Sequence, residues 1–156
     1  MIDISQLMMN GLKEKYDNIL LLDLDGVLIT TPPWKPCEVH EDGYSDFNDE
    51  CVQKLNILVR NTGYDIVLSP MRRTQVDIDQ MNVYFKNRGI EKPIVAYVPI
   101  YSTETIWYSR RREIEMFLEE HQPKSYLILD DDKSLLGAKE EIKANWIQTH
   151  YYIGLE

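Results

Sequence analysis

Residues 20–30 read LLLDLDGVLIT, an apolar run that carries two carboxylates, Asp23 and Asp25, followed by Gly26. Side chains alternate between the two faces of a strand, so both acids should point the same way, with Leu24 opposite them. Like charges that close raise each other's pKa and cost free energy unless a cation or a proton compensates. Such a pair indicates a site of chemistry, and the alternative is a solvent-exposed turn at the end of the strand.

The size and charge of the chain limit the functions that it can have. Its 156 residues are the length of one ordinary domain, so we expect a single domain over residues 1–156 whose core needs no disulfide or structural metal. The formal net charge of −9 and a pI near 4.8 oppose broad attraction to phosphate backbones. A nucleic-acid substrate would therefore require a local basic site.

Cysteine usage and hydropathy favour a cytoplasmic protein. Cys37 and Cys51 are too few and too far apart for a zinc site or a disulfide framework, so we expect two reduced thiols. No apolar run approaches the ~20 residues that span a bilayer. Residues 1–18 lack the charged and apolar regions of a signal peptide, and we expect no membrane contact.

Predicted strands alternate with amphipathic helices along the chain. Residues 17–29 form the first strand with its acidic motif, and the proline-rich residues 30–48 form a loop expected to act as a small cover. The later elements are a helix capped by Asn48 or Asp49 and ended by Gly63, a strand Asp65–Ser69, a helix capped by Thr74, a strand Ile94–Val98, a helix Arg110–Glu120, a strand over 125–132, a helix capped by Ser134 and a strand over 145–154. This order predicts an α/β fold with a parallel sheet covered on both faces.

Polar residues follow several of these strands at the point where each strand ends. Asp23, Ser69, Asp130 and Asp131 all fall at such carboxyl ends. Open α/β sheets bind their ligands at that edge, so we expect these side chains to converge on one pocket.

Other nucleotide-binding and phosphoacceptor folds fit the motifs less well. A P-loop requires Gly-Lys-Ser/Thr after the first strand and a dinucleotide fold requires Gly-x-Gly-x-x-Gly, whereas this chain has Asp-Gly-Val-Leu over 25–28. A receiver domain has adjacent acids at its first strand and a lone acceptor at a middle strand. Here the alternating pair comes first and the adjacent acids come at the fourth strand.

The order of these motifs resembles the haloacid dehalogenase (HAD) superfamily of phosphotransferases, and more narrowly the HAD domain of Swiss Army knife RNA-repair proteins. The similar segments are LLDLDGVL, IVLSPMRRT, RRREIEMFL, YLILDDD and WIQTHYYIGLE, which together cover most of the chain. The resemblance implies a Rossmann-like three-layer sandwich with a central parallel sheet of about five strands. The interval from Asp23 to Ser69 must hold the proline-rich loop and a helix, which leaves no room there for a large cap domain.

The resemblance also implies roles for the acids. Asp23 matches the nucleophile, and Asp25 matches the general acid that protonates the leaving oxygen and then activates water. Mg²⁺ is the implied cofactor, because attack on a phosphate by a carboxylate requires the repulsion between anions to be cancelled. Its implied ligands are Asp23, the main-chain carbonyl of Asp25 and the acid pair, with Asp131 as the direct ligand and Asp130 as its neighbour.

The remaining implied site residues are polar or small. Ser69 matches a hydroxyl donor to the phosphoryl group, and Arg112 and then Arg110 are expected to balance the acids. Cations are disfavoured at a helix start, where the macrodipole is positive, so their presence there indicates nearby anions. Gly26 leaves room for phosphate, and Arg72 matches an arginine that contacts substrate. Relatives commonly have Trp just before that arginine, and its substrate contact is missing or altered here, where the chain has methionine.

Three functions are compatible with these motifs. The first is a Mg²⁺-dependent phosphatase that works through an aspartyl-phosphate intermediate on a phosphorylated small molecule, a nucleotide or a nucleic-acid end. The second is an RNA-repair or polynucleotide-processing module that works with a partner protein, which the net charge of −9 makes reasonable. The third is a non-catalytic regulatory domain with the HAD fold, because a full set of motifs does not prove catalysis.

Overall fold

The protein is built on a five-stranded parallel sheet in the order β3-β2-β1-β4-β5. The computed structural model describes residues 12, 14–30, 34, 38–69, 76–100, 110–151 and 153–156. The strands are β1 (Asn18–Leu22), β2 (Asp65–Leu68), β3 (Ile94–Tyr97), β4 (Ser125–Asp130) and β5 (Trp146–Gln148). The helices are α1 (Asp49–Thr62), α2 (Ile78–Asn87), α3 (Arg110–His121) and α4 (Glu140–Ala144), with a 3₁₀ helix over Lys133–Gly137. The predicted parallel α/β fold is confirmed.

Both faces of the sheet are covered because the central strand is apolar on both sides. Leu20 and Leu22 of β1 pack with residues of α1 and α2 in one core cluster. Ile19 and Leu21 pack in a second cluster with residues of α3, α4 and the 3₁₀ helix. All four side chains are fully buried, which gives the three layers that a near-continuous apolar strand predicts.

The acidic motif lies in a turn beyond the first strand. The predicted strand over 17–29 is wrong in its second half, since β1 ends at Leu22. The N–H groups of Val27, Leu28 and Ile29 all donate to the carbonyl of Leu24, so the chain winds back on itself. The apolar residues of this turn are buried, which is why they resemble a continuing strand in the sequence.

Helix boundaries match the predictions in α1 and depart from them later. Asn48 caps α1 by accepting from the N–H groups of Glu50 and Cys51, as expected. Thr74 was the expected cap of α2, but Asp77 holds that position and accepts from the N–H of Gln80. The single helix expected after Ser134 is also wrong. Asp132 caps a 3₁₀ helix, and extended backbone at Ala138 separates it from α4.

The connections that could hold a cap domain are short. Residues 23–48 separate β1 from α1, and residues 98–109 separate β3 from α3. The predicted absence of a large cap is confirmed. Within the described ranges, no helix combines the length and apolar character needed to cross a bilayer. Cys51 is buried and free, whereas Cys37 and Thr74 lie outside the described residues.

Arg88, which directly follows α2, anchors residues 42–47 of the proline-rich loop that precedes α1. Its side chain is 2% exposed and donates to both carboxylate oxygens of Asp42, at 2.6 and 2.8 Å. It also donates to the carbonyls of Ser45 and Tyr44, each at 3.0 Å. The guanidinium carbon lies 5.0 to 5.5 Å from the ring centres of Tyr44, Phe47 and Tyr84. Hydrogen bonds from Arg88 hold the pKa of Asp42 well below its usual value.

Replacing Asp42 should destabilise the fold through Arg88. We expect Asp42→Asn to lower the free energy of unfolding by about 3 kcal/mol at pH 7, because the buried guanidinium loses its carboxylate. A carboxyl with a lowered pKa stabilises the fold above its unfolded pKa of about 4, and this contribution is lost as pH falls through the folded pKa. The difference between the two proteins in urea unfolding should therefore shrink on acidification.

The matched control removes the carboxylate of an exposed ion pair. Glu91→Gln breaks the pair with Arg60, whose side chain is 58% exposed, and should cost much less. Equal losses in the two variants at pH 7 would contradict the anchoring role of Arg88.

Candidate active site

Asp23, Asp130 and Asp131 come together at the carboxyl edge of the sheet. The parallel register of β1 and β4 pairs Leu22 with Leu129, so the next residue on each strand is an aspartate. The N–H of Asp23 continues the ladder by donating to the carbonyl of Leu129 at 3.1 Å. Carboxylate oxygens of the three acids lie within 4.8 Å of one another. Asp23 and Asp130 are only 5% and 0% exposed.

Burial and crowding raise the pKa of each of these carboxyls. For Asp23, burial is the larger cause and the charge of Asp130 is the next. Burial raises the pKa of Asp130 although Arg110 acts in the opposite direction. The pKa of Asp131 rises through burial and then through Asp130. Burial and mutual repulsion therefore favour a bound proton or cation at this group.

Among the described residues, Arg110 is the cation in contact with these acids. Its Nη1 lies 2.9 Å from Asp130 Oδ2 and 3.6 Å from Asp23 Oδ1, and its Nε lies 4.0 Å from the buried Glu113. Burial alone lowers the pKa of Arg110, but Asp130, Asp23 and Glu113 outweigh burial and raise it. Glu113 was not expected from the sequence. Its spacing of three residues from Arg110 on one helix is the signal that could have found it.

Arg112 is not brought to the acids. Its side chain is 55% exposed and lies 4.0 Å from Glu115. The sequence predicts that Arg112, ahead of Arg110, balances the acids, and this order of preference is wrong. Successive residues on a helix are rotated by about 100°, so two positions turn a side chain to the far side.

Gly26 permits a close approach between the turn and Asp131. Its φ is +83°, and a Cβ at this position would lie 2.3 Å from Asp131 Oδ2. Asp25, just before it, is half-buried and forms a bridge with Ile29. Its carboxylate is outside the group of three acids. Glycine at position 26 is thus required for Asp131, which follows β4, to pack against the turn that follows β1.

Gly154 and Leu155 pack against the turn that follows β1. The N–H of Leu155 donates to the carbonyl of Val27 at 2.9 Å. A Cβ on Gly154 would lie 2.6 Å from that carbonyl oxygen, so glycine allows this close contact. Leu155 is 5% exposed and belongs to the core cluster of β1.

Ser69 lies next to Asp23, on the other neighbouring strand. It is 1% exposed, and its N–H donates to the carbonyl of Leu22 at 2.9 Å. Its hydroxyl lies 3.4 Å from the same carbonyl oxygen. Arg72, the expected substrate contact, lies outside the described residues.

The donor set of this site fits a hard divalent cation. Asp23, Asp130 and Asp131 offer oxygen ligands only, which Mg²⁺ prefers. Among the described residues, the Arg110 guanidinium contacts Asp23 and Asp130, and the pKa values of all three carboxyls remain raised in its presence. A bound cation would offset the cost of burying these carboxylates next to one another.

The sheet order, the acids at its carboxyl edge and the short connections define a HAD-like α/β domain. A family model described as "HAD domain in Swiss Army Knife RNA repair proteins" matches residues 19–156. The chain belongs to this family, and the predicted resemblance is confirmed. No curated protein matches the chain.

Substituting Gly26 should cost more than substituting another glycine of similar backbone conformation. We expect Gly43→Ala to cost about 1 kcal/mol, because φ at Gly43 is +87° and nothing lies within 4 Å of the added Cβ. Gly26→Ala carries the same backbone cost and must also displace the Asp131 carboxylate. Urea unfolding in EDTA measures both, and equal losses would contradict the close packing of Gly26 on Asp131.

Proposed function

We propose that the protein is a Mg²⁺-dependent phosphoester hydrolase that works through an aspartyl-phosphate on Asp23. The observation that carries this proposal is the group formed by the buried Asp23 and Asp130 and the half-buried Asp131, with Arg110 in contact with the two buried acids. Membership of the HAD family supports it, since the same acids match the family's motifs.

Asp23 is the proposed nucleophile and Asp25 the proposed acid and base. The N–H of Leu24 donates to Asp23 Oδ1 at 2.8 Å, which fixes the orientation of the carboxylate. A carboxylate oxygen of Asp23 forms a bond to phosphorus while the bond to the leaving oxygen breaks, and Asp25 gives that oxygen its proton. Asp25 then takes a proton from water, whose oxygen attacks phosphorus and releases Asp23.

Mg²⁺ would be held by Asp23, Asp131, Asp130 and the main-chain carbonyl of Asp25. When bound, it supplies the charge that lets two anions approach. Asp131 is the better direct ligand of the pair, because both oxygens of Asp130 already accept hydrogen bonds. Arg110 donates to Asp130 Oδ2, and the N–H of Asp132 donates to Asp130 Oδ1 at 3.0 Å.

The other site residues act on the phosphoryl group. Arg110 stabilises the charge on its oxygens during transfer, and the Ser69 hydroxyl donates a hydrogen bond to it. Gly26 lets the Asp131 carboxylate pack against the turn that carries Asp25, and Arg72 is the proposed contact to the substrate beyond the phosphate.

A phosphorylated RNA end or a nucleotide is the proposed substrate class. The family description places relatives in RNA repair. The lack of a large cap domain suits a large substrate. The net charge of −9 opposes tight binding of long RNA by this chain alone, so we propose that a partner protein supplies affinity where RNA is the substrate.

Removing the nucleophile should abolish turnover without unfolding the protein. We expect Asp23→Asn to lose at least 10³-fold in kcat, an order-of-magnitude estimate for a lost covalent step, and in EDTA to be at least as stable as the wild type. The assay is phosphate release with Mg²⁺ from RNA oligonucleotides bearing 3′- or 5′-phosphates, from mononucleotides and from small phosphoesters. Turnover retained by Asp23→Asn, or turnover by the wild type in EDTA, would refute the proposed mechanism.

Neighbouring arginines provide a matched pair for the role of Arg110. We expect Arg110→Ala to lower kcat about 100-fold, because the transferring phosphoryl group loses its charged donor. Arg112→Ala removes the same charge two residues away and should cost far less, since that side chain is 55% exposed and lies beside Glu115. A larger loss in Arg112→Ala would restore the order expected from the sequence.

A further inference from the structure

Two contacts tie the start of α3 to the acid loop, which we define as residues 130–134 at the end of β4, and Ser134 makes one of them. The guanidinium of Arg110 donates to Asp130 Oδ2 at 2.9 Å. The main-chain N–H of the next residue, Arg111, donates to the Ser134 hydroxyl at 3.1 Å. The first N–H groups of a helix have no partner inside the helix, so Ser134 caps α3 from a different element.

Two more bonds close these contacts into a ring. The N–H of Ser134 donates to Asp132 Oδ1 at 2.8 Å. The N–H of Asp132 donates to Asp130 Oδ1 at 3.0 Å. The ring therefore runs from Arg110 through Asp130, Asp132 and Ser134 back to the start of α3. A shift of α3 relative to the acid loop must break one of its members.

A second contact between the same elements lies beside the ring. Arg111 Nη1 donates to the carbonyl of Gly137, at the end of the 3₁₀ helix, at 3.2 Å. A Cβ on Gly137 would lie 2.4 Å from that nitrogen, so the two elements are closely packed here.

We propose that Ser134 is a positioning residue for Arg110, and that it holds the guanidinium at the distance from Asp23 that phosphoryl transfer requires. This inference rests on the proposed function. Arg110 is the first residue of its helix, where the macrodipole opposes a cation, so the local backbone does not favour its position. The Ser134 cap fixes the adjoining peptide, and small displacements of a group that acts on the reacting atoms cost large factors in rate.

The test in turnover compares three serine variants. Ser134→Ala should lower kcat about tenfold with KM changed less than about twofold, because Arg110 acts mainly on the transition state. Ser134→Thr keeps a hydroxyl and should restore most of the rate. Ser125→Ala removes a hydroxyl that donates to Asn18 at the opposite end of β4 and should leave kcat unchanged. Wild-type kcat in Ser134→Ala, or an equal loss in Ser125→Ala, would overturn the proposal.

A double-variant cycle asks whether Ser134 acts through Arg110. In the Arg110→Ala background, Ser134→Ala should cause no further loss of kcat, because nothing remains to be positioned. A second loss of about tenfold in that background would show that Ser134 acts by another route and would overturn the proposal.

A measurement without substrate or metal separates this inference from the proposed function. In EDTA, we expect the guanidinium N–H signals of Arg110, assigned by their loss in Arg110→Ala, to exchange with water more slowly than those of exposed arginines. Exchange should become several-fold faster in Ser134→Ala and stay unchanged in Ser125→Ala. That pattern in a protein that hydrolyses none of the tested phosphoesters would refute the hydrolase and still show that Ser134 holds Arg110 in place. Unchanged exchange in Ser134→Ala would overturn the positioning role whatever the activity.

Discussion

The parallel pairing of β1 with β4 is the constraint on which the site depends. Their register aligns Leu22 with Leu129, so Asp23 and Asp130 end side by side where little water reaches them. Charges repel more strongly there, because the interior screens them less than water does. Arg110 offsets the repulsion, and α3 must begin where its first side chain can reach both acids. The position of one helix therefore follows from the way in which two strands end.

Local sequence was sufficient to predict the sheet and its acids. The apolar run of β1 and the alternation of strands with amphipathic helices depend on neighbouring residues, and both are visible in the chain. The sequence predicts Asp23, Asp130 and Asp131 at strand ends, and the structure brings the three together. Ser69 likewise lies beside Asp23, because parallel strands end at the same edge of a sheet.

Other features depended on contacts that the sequence does not show. An apolar run such as Val27–Ile29 suits a strand and a buried turn equally, so the end of β1 was placed too late. Choosing Arg110 over Arg112 requires knowing which side of the helix each residue lies on. Each residue turns the helix by about 100°, so this depends on where the helix begins. Asp132 and Ser134 are both good caps, and only the packed structure shows that each caps a different helix.

The position of Arg110 bears on when a cation would enter the protein. Small zinc domains stay unfolded until they bind metal, because metal binding supplies their folding free energy. In this domain two apolar layers hold the sheet, and an internal guanidinium already accompanies the acid pair. Folding would thus not require the proposed ion. Scarcity of the proposed ion would leave an intact, dormant domain that recovers as soon as the ion returns, with no need to refold.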